Sequence, residues 1–333
     1  MNKIAVIAGL LGILVSMSAS LGAMGADFKV GLVFDKGGKD DKSFNNAAYR
    51  GAMEAKDKSH VFVKYVEASD DNSFEPMLRA FAQKDFDLII AIGVSQAEAM
   101  KKVAESFPQK HFAIVDAEVK EPNVKALMFQ EHEGCYLVGA IAAWTSKTGK
   151  VGFIGGMDIP LIRRFEMGYI AGAKKANPGI KVIPNYIGIT GEAWNNPPKA
   201  KELALSQYNE GADVIFCAAG ASCAGAFDAA EEMKKFSIGV DSNQNWIKPG
   251  LILTSMLKRV DNAVFDAIEE SQKGGFAGGV KHFGLADKGI DYAVDQYNDK
   301  ILPPEIRKKA DALKVEIIAG KIKVPDFYKT NAN

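Results

Sequence analysis

The sequence predicts an α/β chain made of two doubly wound lobes of parallel sheet. Three observations predict it. Short apolar runs alternate with amphipathic helical stretches, the pattern of βα units closing a parallel sheet. The alternation comes as two successive series. About 300 residues remain after a leader is set aside, a size at which one core gives way to two domains.

The leader is residues 1–26, read as a secretory signal peptide. Lys3 supplies the positive end, 4–15 the apolar run, and 16–26 the small residues, with cleavage expected after Gly25 or Ala26. No later stretch is long and apolar enough to cross a bilayer, so an exported, soluble chain is expected. Lys plus Arg and Asp plus Glu both number 41, and a chain with no basic excess is not a nucleic-acid binder. Three cysteines, Cys135, Cys217 and Cys223, do not make a disulfide framework. Buried thiols are expected, with a Cys217–Cys223 bridge as the alternative.

Strands of the first series are expected at 29–34, 61–66, 88–92, 112–115 and 126–129, with helices near 44–58, 74–84, 95–106 and 132–147. The second series places strands near 151–154, 181–187, 213–217, 236–240 and 251–255. Its helices lie near 161–176, 198–210, 222–234 and 259–273. The helix opening at Glu131 is the natural first crossing between lobes. Further strands are expected at 280–285 and 292–294, and a last helix runs from Pro303-Pro304 to Gly320.

The chain is organised around residues 34–45, F-D-K-G-G-K-D-D-K-S-F-N, a loop between the first strand and the first helix. Gly37 and Gly38 permit a sharp turn, and Asp40, Asp41 and Ser43 sit where a helix start wants side-chain acceptors. A phosphate cradle would need glycines with Lys and Ser or Thr at fixed spacing; here the glycines lie among Asp35, Asp40 and Asp41. Carboxylates accept from hydroxyls, and Phe44 adds a flat apolar face, so a sugar-plus-ring ligand uses both.

In open α/β sheets ligands bind beyond the carboxyl ends of the strands. Those ends carry Asp35, Gly93, Asp116, Gly155-Gly156, Gly220 and Asp241, with Trp194 across a loop and Lys258 after the strand at 251–255. The set is carboxylates, glycines and aromatics. Phe44 and Trp194 can sandwich a ring, and Lys258 can donate to a ligand oxygen.

The segments F-D-K-G-G-K-D-D-K-S-F-N-N-A-A-Y-R-G, Y-L-V-G-A, K-V-G-F-I-G-G-M-D-I-P-L-I-R-R-F, G-A-D-V-I-F-C-A-A-G, I-G-V-D-S-N-Q and L-T-S-M-L-K-R-V-D closely resemble the basic membrane protein family, in order, over residues 29–325. Its members include PnrA-like purine nucleoside receptors, the substrate-binding proteins of ABC importers. The resemblance implies a type I periplasmic-binding-protein fold with a ligand cleft between two lobes. The first lobe would comprise 27–131 plus about 256–278, and the second 132–255 plus about 279–333. It implies capture of inosine, guanosine or adenosine and delivery to an ABC permease and ATPase, with no catalysis, no cofactor and a monomeric state. Carried over, Phe44 and Trp194 stack on the purine. Asp35 and Asn45 match the Asp and Asn of the family's first loop, with Asp116, Gly220, Asp241 and Lys258 around base and ribose; Ser43 and Gly93 complete the expected ligand-binding set. Family members are commonly lipoproteins. No cysteine lies near this leader, so a free periplasmic protein is expected.

The rival reading is a hydrolase. Gly220-Ala221-Ser222-Cys223-Ala224 follows a strand and opens a helix as a nucleophile elbow does, with Asp241 and His282 following in order, although Ala224 replaces the second glycine. A nucleoside-cleaving enzyme with a metal on the acidic loop is the other form, but Lys36, Lys39 and Lys42 interleave with those carboxylates. His60, His111, His132 and His282 show no metal-ligand spacing.

Overall fold

The computed structural model describes residues 28–330, so the expected signal peptide lies outside the described residues. The apolar runs form strands because parallel strands are covered on both faces by helices. The first series gives β1 (Lys29–Phe34), β2 (Phe62–Glu67), β3 (Leu88–Ile92), β4 (His111–Val115) and β5 (Val124–Phe129). The second gives β6 (Lys150–Met157), β7 (Lys181–Gly188), β8 (Val214–Ala218), β9 (Phe236–Asp241) and β10 (Ile252–Lys258). Two late strands follow, β11 (Gly279–Phe283) and β12 (Ile290–Tyr292). The helices are α1 (Phe44–Ser59), α2 (Phe74–Ala82), α3 (Ala97–Ser106), α4 (Glu131–Thr145) and α5 (Pro160–Ala176). After them come α6 (Pro197–Asn209), α7 (Cys223–Met233), α8 (Val260–Gln272), α9 (Pro304–Ile318) and α10 (Phe327–Thr330).

Two six-stranded sheets result, ordered β11-β5-β4-β3-β1-β2 and β12-β10-β9-β8-β6-β7. The orders match place for place, so β1 corresponds to β6, β3 to β8 and β4 to β9. All pairings are parallel except β10 with β12. Strands β3 and β8 are buried along their whole length.

Sheet membership corrects the expected lobe limits in the last third. β10 lies wholly in the second sheet, so residues 256–258 do not belong with the first. β11 pairs with β5, Gly279 opposite Lys125 through Phe283 opposite Phe129, so the return to the first sheet runs past 278. Pairing partners decide these limits, and they lie more than 150 residues away in sequence for β11.

The cysteine expectation is also corrected. Cys217 and Cys223 form a disulfide, with Cα atoms 5.6 Å apart, and Cys135 is a buried thiol. Cys217 lies in β8 and Cys223 begins α7. The turn between them, with Gly220 at φ +58°, folds the helix start back over the strand end.

Candidate functional site

The carboxyl ends of the two sheets face each other across a cleft with about 590 Å³ of atom-free space. Nine of the ten expected site residues line it: Asp35, Phe44, Asn45, Gly93, Asp116, Trp194, Gly220, Asp241 and Lys258. Ser43 does not. It precedes Phe44 on the opposite side of the helix start, and its hydroxyl donates to the Asp241 carboxylate at 2.6 Å.

The loop after β1 is built by its own polar groups. Asp41, not Ser43, caps α1: its carboxylate accepts from the backbone N–H groups of Ser43, Asn45 and Asn46 at 2.8–2.9 Å. Asn45 braces the turn, accepting from Asp35 N–H at 3.3 Å and donating to the Lys36 carbonyl at 3.3 Å. Asp35 accepts from Lys36 N–H at 2.7 Å, and Gly93 leaves room for its other oxygen. A Cβ on Gly93 would sit 2.6 Å from Asp35 Oδ2. Asp40 points away, 79% exposed, and pairs with Lys39. The loop's carboxylates therefore diverge and do not form a cation cage.

Trp194 comes from a short 3₁₀ segment, Gly191–Asn195, after β7. Its indole lies flat on Gly156, where a Cβ would come within 2.1 Å of the ring. The second glycine of F-I-G-G thus exists to admit the Trp194 ring. Phe165 lines the cleft from the same lobe, with Leu161 and Ile162 beside it. Sequence reasoning missed this trio, although β6-loop-α5 repeats the strand-loop-helix corner of β1-loop-α1. It also missed Lys36, Val94, Ala218 and Val240 as lining residues.

Lys258 is the buried cation of the site, 1% exposed. Its ammonium lies 2.6 Å from Asp116 and 2.9 Å from Glu131. It also stands 5.1 Å from the ring centres of Phe44 and Phe129 and 5.7 Å from that of Phe165. Glu131 is shared with Arg164, which holds Asp326 near the other end of the chain through two nitrogens, at 2.8 and 3.0 Å. This chain of charges ties β4, α4, α5 and β10 together behind the cleft.

The carboxyls facing the cleft are acidic groups held reluctantly. Burial pushes Asp35 up to about 6 and Asp241 to about 6. Burial also pushes Asp116 to about 7, with Lys258 opposing and Glu131 assisting the rise. Burial works against the Lys258 charge, but Asp116 and Glu131 hold it above its ordinary value. One oxygen of Asp116 has no hydrogen-bond partner although it is buried. Asp116 and Asp241 also share a left-handed backbone, φ +70° and +63°.

A pH dependence follows. In the folded protein these carboxyls keep protons up to about pH 6–7, and in the unfolded chain only to 3.8. Between those values the native state binds more protons, so ligand-free stability should fall as pH rises from about 4 to 7. Asp116→Asn should flatten that slope. Urea melts of both proteins at pH 4.5, 6 and 7.5 check it; equal slopes would refute the role of Asp116. Affinity for a hydroxyl donor should run the other way, rising over the same range as the carboxylates ionise.

The hydrolase rival is not assembled. The buried Ser222 hydroxyl donates to the Ala193 carbonyl at 2.7 Å and accepts from Asn196 N–H at 2.7 Å. Cys223 is in the disulfide, and His282 lies on β11, in the other sheet from Asp241.

Comparison with known proteins places the chain in a family. The family described as ABC transporter substrate-binding protein PnrA-like matches residues 28–327. The chain is 32% identical to the ABC transporter nucleoside-binding protein BmpA of Lactococcus lactis subsp. cremoris, over 92% of each chain. It is similar to a crystal structure of an ABC transporter solute-binding protein from Aeropyrum pernix K1, with TM-score 0.83 and 30% identity over 90% of this chain and 94% of that one. The type I periplasmic-binding-protein fold is therefore that of this chain. One expectation is overturned. A relative from Pyrococcus abyssi, 34% identical over 79% of this chain and 68% of its own, is named a lipoprotein, as are relatives from P. horikoshii and P. furiosus. The expectation of a free periplasmic protein rested on the leader alone, which lies outside the described residues. Among the described residues no helix is long and apolar enough to cross a membrane.

Proposed function

We propose, for a chain that belongs to the PnrA-like family of ABC transporter substrate-binding proteins, that the cleft between its lobes captures a purine nucleoside for an importer. The family and its solved relative from Aeropyrum pernix are substrate-binding proteins of ABC transport, and the chain is one of these rather than an enzyme. The name of the Lactococcus relative supports a nucleoside as ligand. The observation that carries the purine reading is the pairing of two aromatics with buried carboxyl groups in one cavity. Phe44 approaches from the first lobe, Trp194 from the second, and Asp35, Asp116 and Asp241 stand around them. A flat base fits between the rings, and ribose hydroxyls donate to the carboxylates. Inosine, guanosine and adenosine all have this shape. A permease and an ATPase are the partners this role requires, and the carrier acts as a monomer, each lobe supplying half of the site.

The carboxylates also set what is rejected. A phosphate brought beside them is repelled by at least about 1 kcal/mol even at the dielectric of water, and by more in a closed cleft. Inosine should bind at least about fivefold more tightly than inosine 5′-monophosphate. Calorimetry with both ligands tests this, and chromatography of the mixture tests for conversion. Equal affinities would sink the reading, and release of free base would contradict a binding protein.

A further inference from the structure

One side of the cleft is closed by protein atoms alone. Ser43 donates to Asp241 at 2.6 Å and to the Val240 carbonyl at 3.3 Å. Ser242 donates back to the Ser43 carbonyl at 2.9 Å. Gln244 donates to the Lys42 carbonyl at 3.0 Å, and Arg50 donates to Ser242 at 3.2 Å. Every one of these bonds joins the loop and first helix after β1 to the turn at the end of β9. The receiving turn is shaped within its own lobe. Gln244 accepts from Val240 N–H at 2.8 Å through its carbonyl oxygen, and its backbone N–H donates to Ser255 at 3.0 Å. Bonds within its own lobe thereby hold its amide toward Lys42. Ser43, Gln244 and Ser242 do not line the cavity, so none of them is needed to hold a ligand directly.

We propose that Ser43, with Gln244, is a positioning pair that couples lobe closure to ligand recognition. The Ser43 hydroxyl occupies one oxygen of Asp241, which turns the carboxylate and leaves the other oxygen for the cavity that Asp241 lines. That arrangement exists only when the lobes are together. The open protein therefore offers an unfinished acceptor, and the closed one a finished acceptor. Because these bonds involve no ligand atom, they also set how often the empty protein closes. A binding-competent state that is only part-populated weakens apparent affinity by its fraction. The inference rests on the nucleoside reading for its ligand, and not for the closure itself.

Two variants and two readouts test it. Ser43→Ala removes the hydroxyl, and Gln244→Ala removes the second bond from the other lobe. With a fluorophore on each lobe, the ligand-free wild type should show a larger closed population than either variant. Saturating inosine should bring all three to the same closed distance. Ser43→Ala should weaken inosine by about tenfold, mainly through faster release, the size expected for one hydrogen bond to a charged group. Gln244→Ala should act in the same direction, by a few fold. Ligand-free populations that coincide in all three proteins would overturn the proposal. So would a loss of inosine affinity in Ser43→Ala with an unchanged empty population. Should the wild type fail to bind inosine, the nucleoside reading falls, and the ligand-free comparison still decides the latch.

Discussion

Lys258→Met should cost ~3–5 kcal/mol of folding stability at pH 7.5, the range found when one partner of a buried ion pair is removed. The methionine fills much the same space, so the loss is electrostatic. Glu131 keeps Arg164 at 2.8 Å, but Asp116 has Lys258 as its cation, and its second oxygen has no partner at all. An abandoned carboxyl can escape by keeping a proton. Asp116 already titrates at about 7, and without Lys258 it should titrate higher still. The penalty should therefore shrink as pH falls to 5, where the carboxyl is neutral in both proteins. Urea melts at the two pH values decide it. A loss below 1 kcal/mol at pH 7.5, or an equal loss at both, would show that Lys258 is not what makes Asp116 tolerable. Adding Asp116→Asn to Lys258→Met should recover part of the stability, since no buried charge is then left alone and asparagine tolerates the left-handed backbone at this position.

Phe44→Ala and Trp194→Ala should each weaken nucleoside binding by roughly tenfold to a hundredfold, taking ~1–3 kcal/mol for stacking a base on an aromatic side chain. The two rings belong to different lobes, so neither lobe alone can hold both faces of a base. Phe44 is only half-buried and its ring carries the Lys258 ammonium on one side. Its truncation should thus cost less stability than the ~3–5 kcal/mol of a core phenylalanine. Emission supplies an independent check. Of the three tryptophans, Trp144 is packed under Lys309 and Trp246 is 48% exposed beside Lys42, both away from the cavity. Most of a ligand-induced emission change should come from Trp194 and be lost in Trp194→Ala, with a smaller part from Trp246 where Lys42 meets it. Survival of the whole change would pass the second face to Phe165, which lines the same wall.

What could be read from the sequence follows from where the information lies. Asp35, Gly93, Asp116, Gly220 and Asp241 were legible because the carboxyl ends of parallel strands in a doubly wound sheet converge on one crevice. An apolar run followed by Asp or Gly is enough to find them. Phe165 belongs to the same kind of strand-loop-helix corner at the start of α5, but it lies a turn inside the helix, where no strand end marks it. Ser43 is expected at the ligand beside Phe44, yet a side chain one position from Phe44 faces elsewhere, onto the other lobe. Three sparse cysteines point to buried thiols, and only the turn at Gly220 brings Cys217 and Cys223 together. Nothing local marks Arg164, Glu131 and Asp326 as one network. They are 33 and 162 residues apart, and their meeting is a property of chain crossings. The limits of the lobes near 256 and 279 were misplaced for the same reason.

The matching left-handed aspartates at the third strand of each sheet carry a consequence for anyone breeding the protein. Asp116 and Asp241 each bear an awkward backbone and a charge that the interior resists. Asparagine tolerates that backbone and carries no charge, and glycine is freer still. A library sorted by heat resistance alone would thus be drawn to these two positions and would enrich winners that no longer hold a ligand. Sorting by capture would restore both acids at the expense of melting temperature. The pair marks where durability and use select in opposite directions.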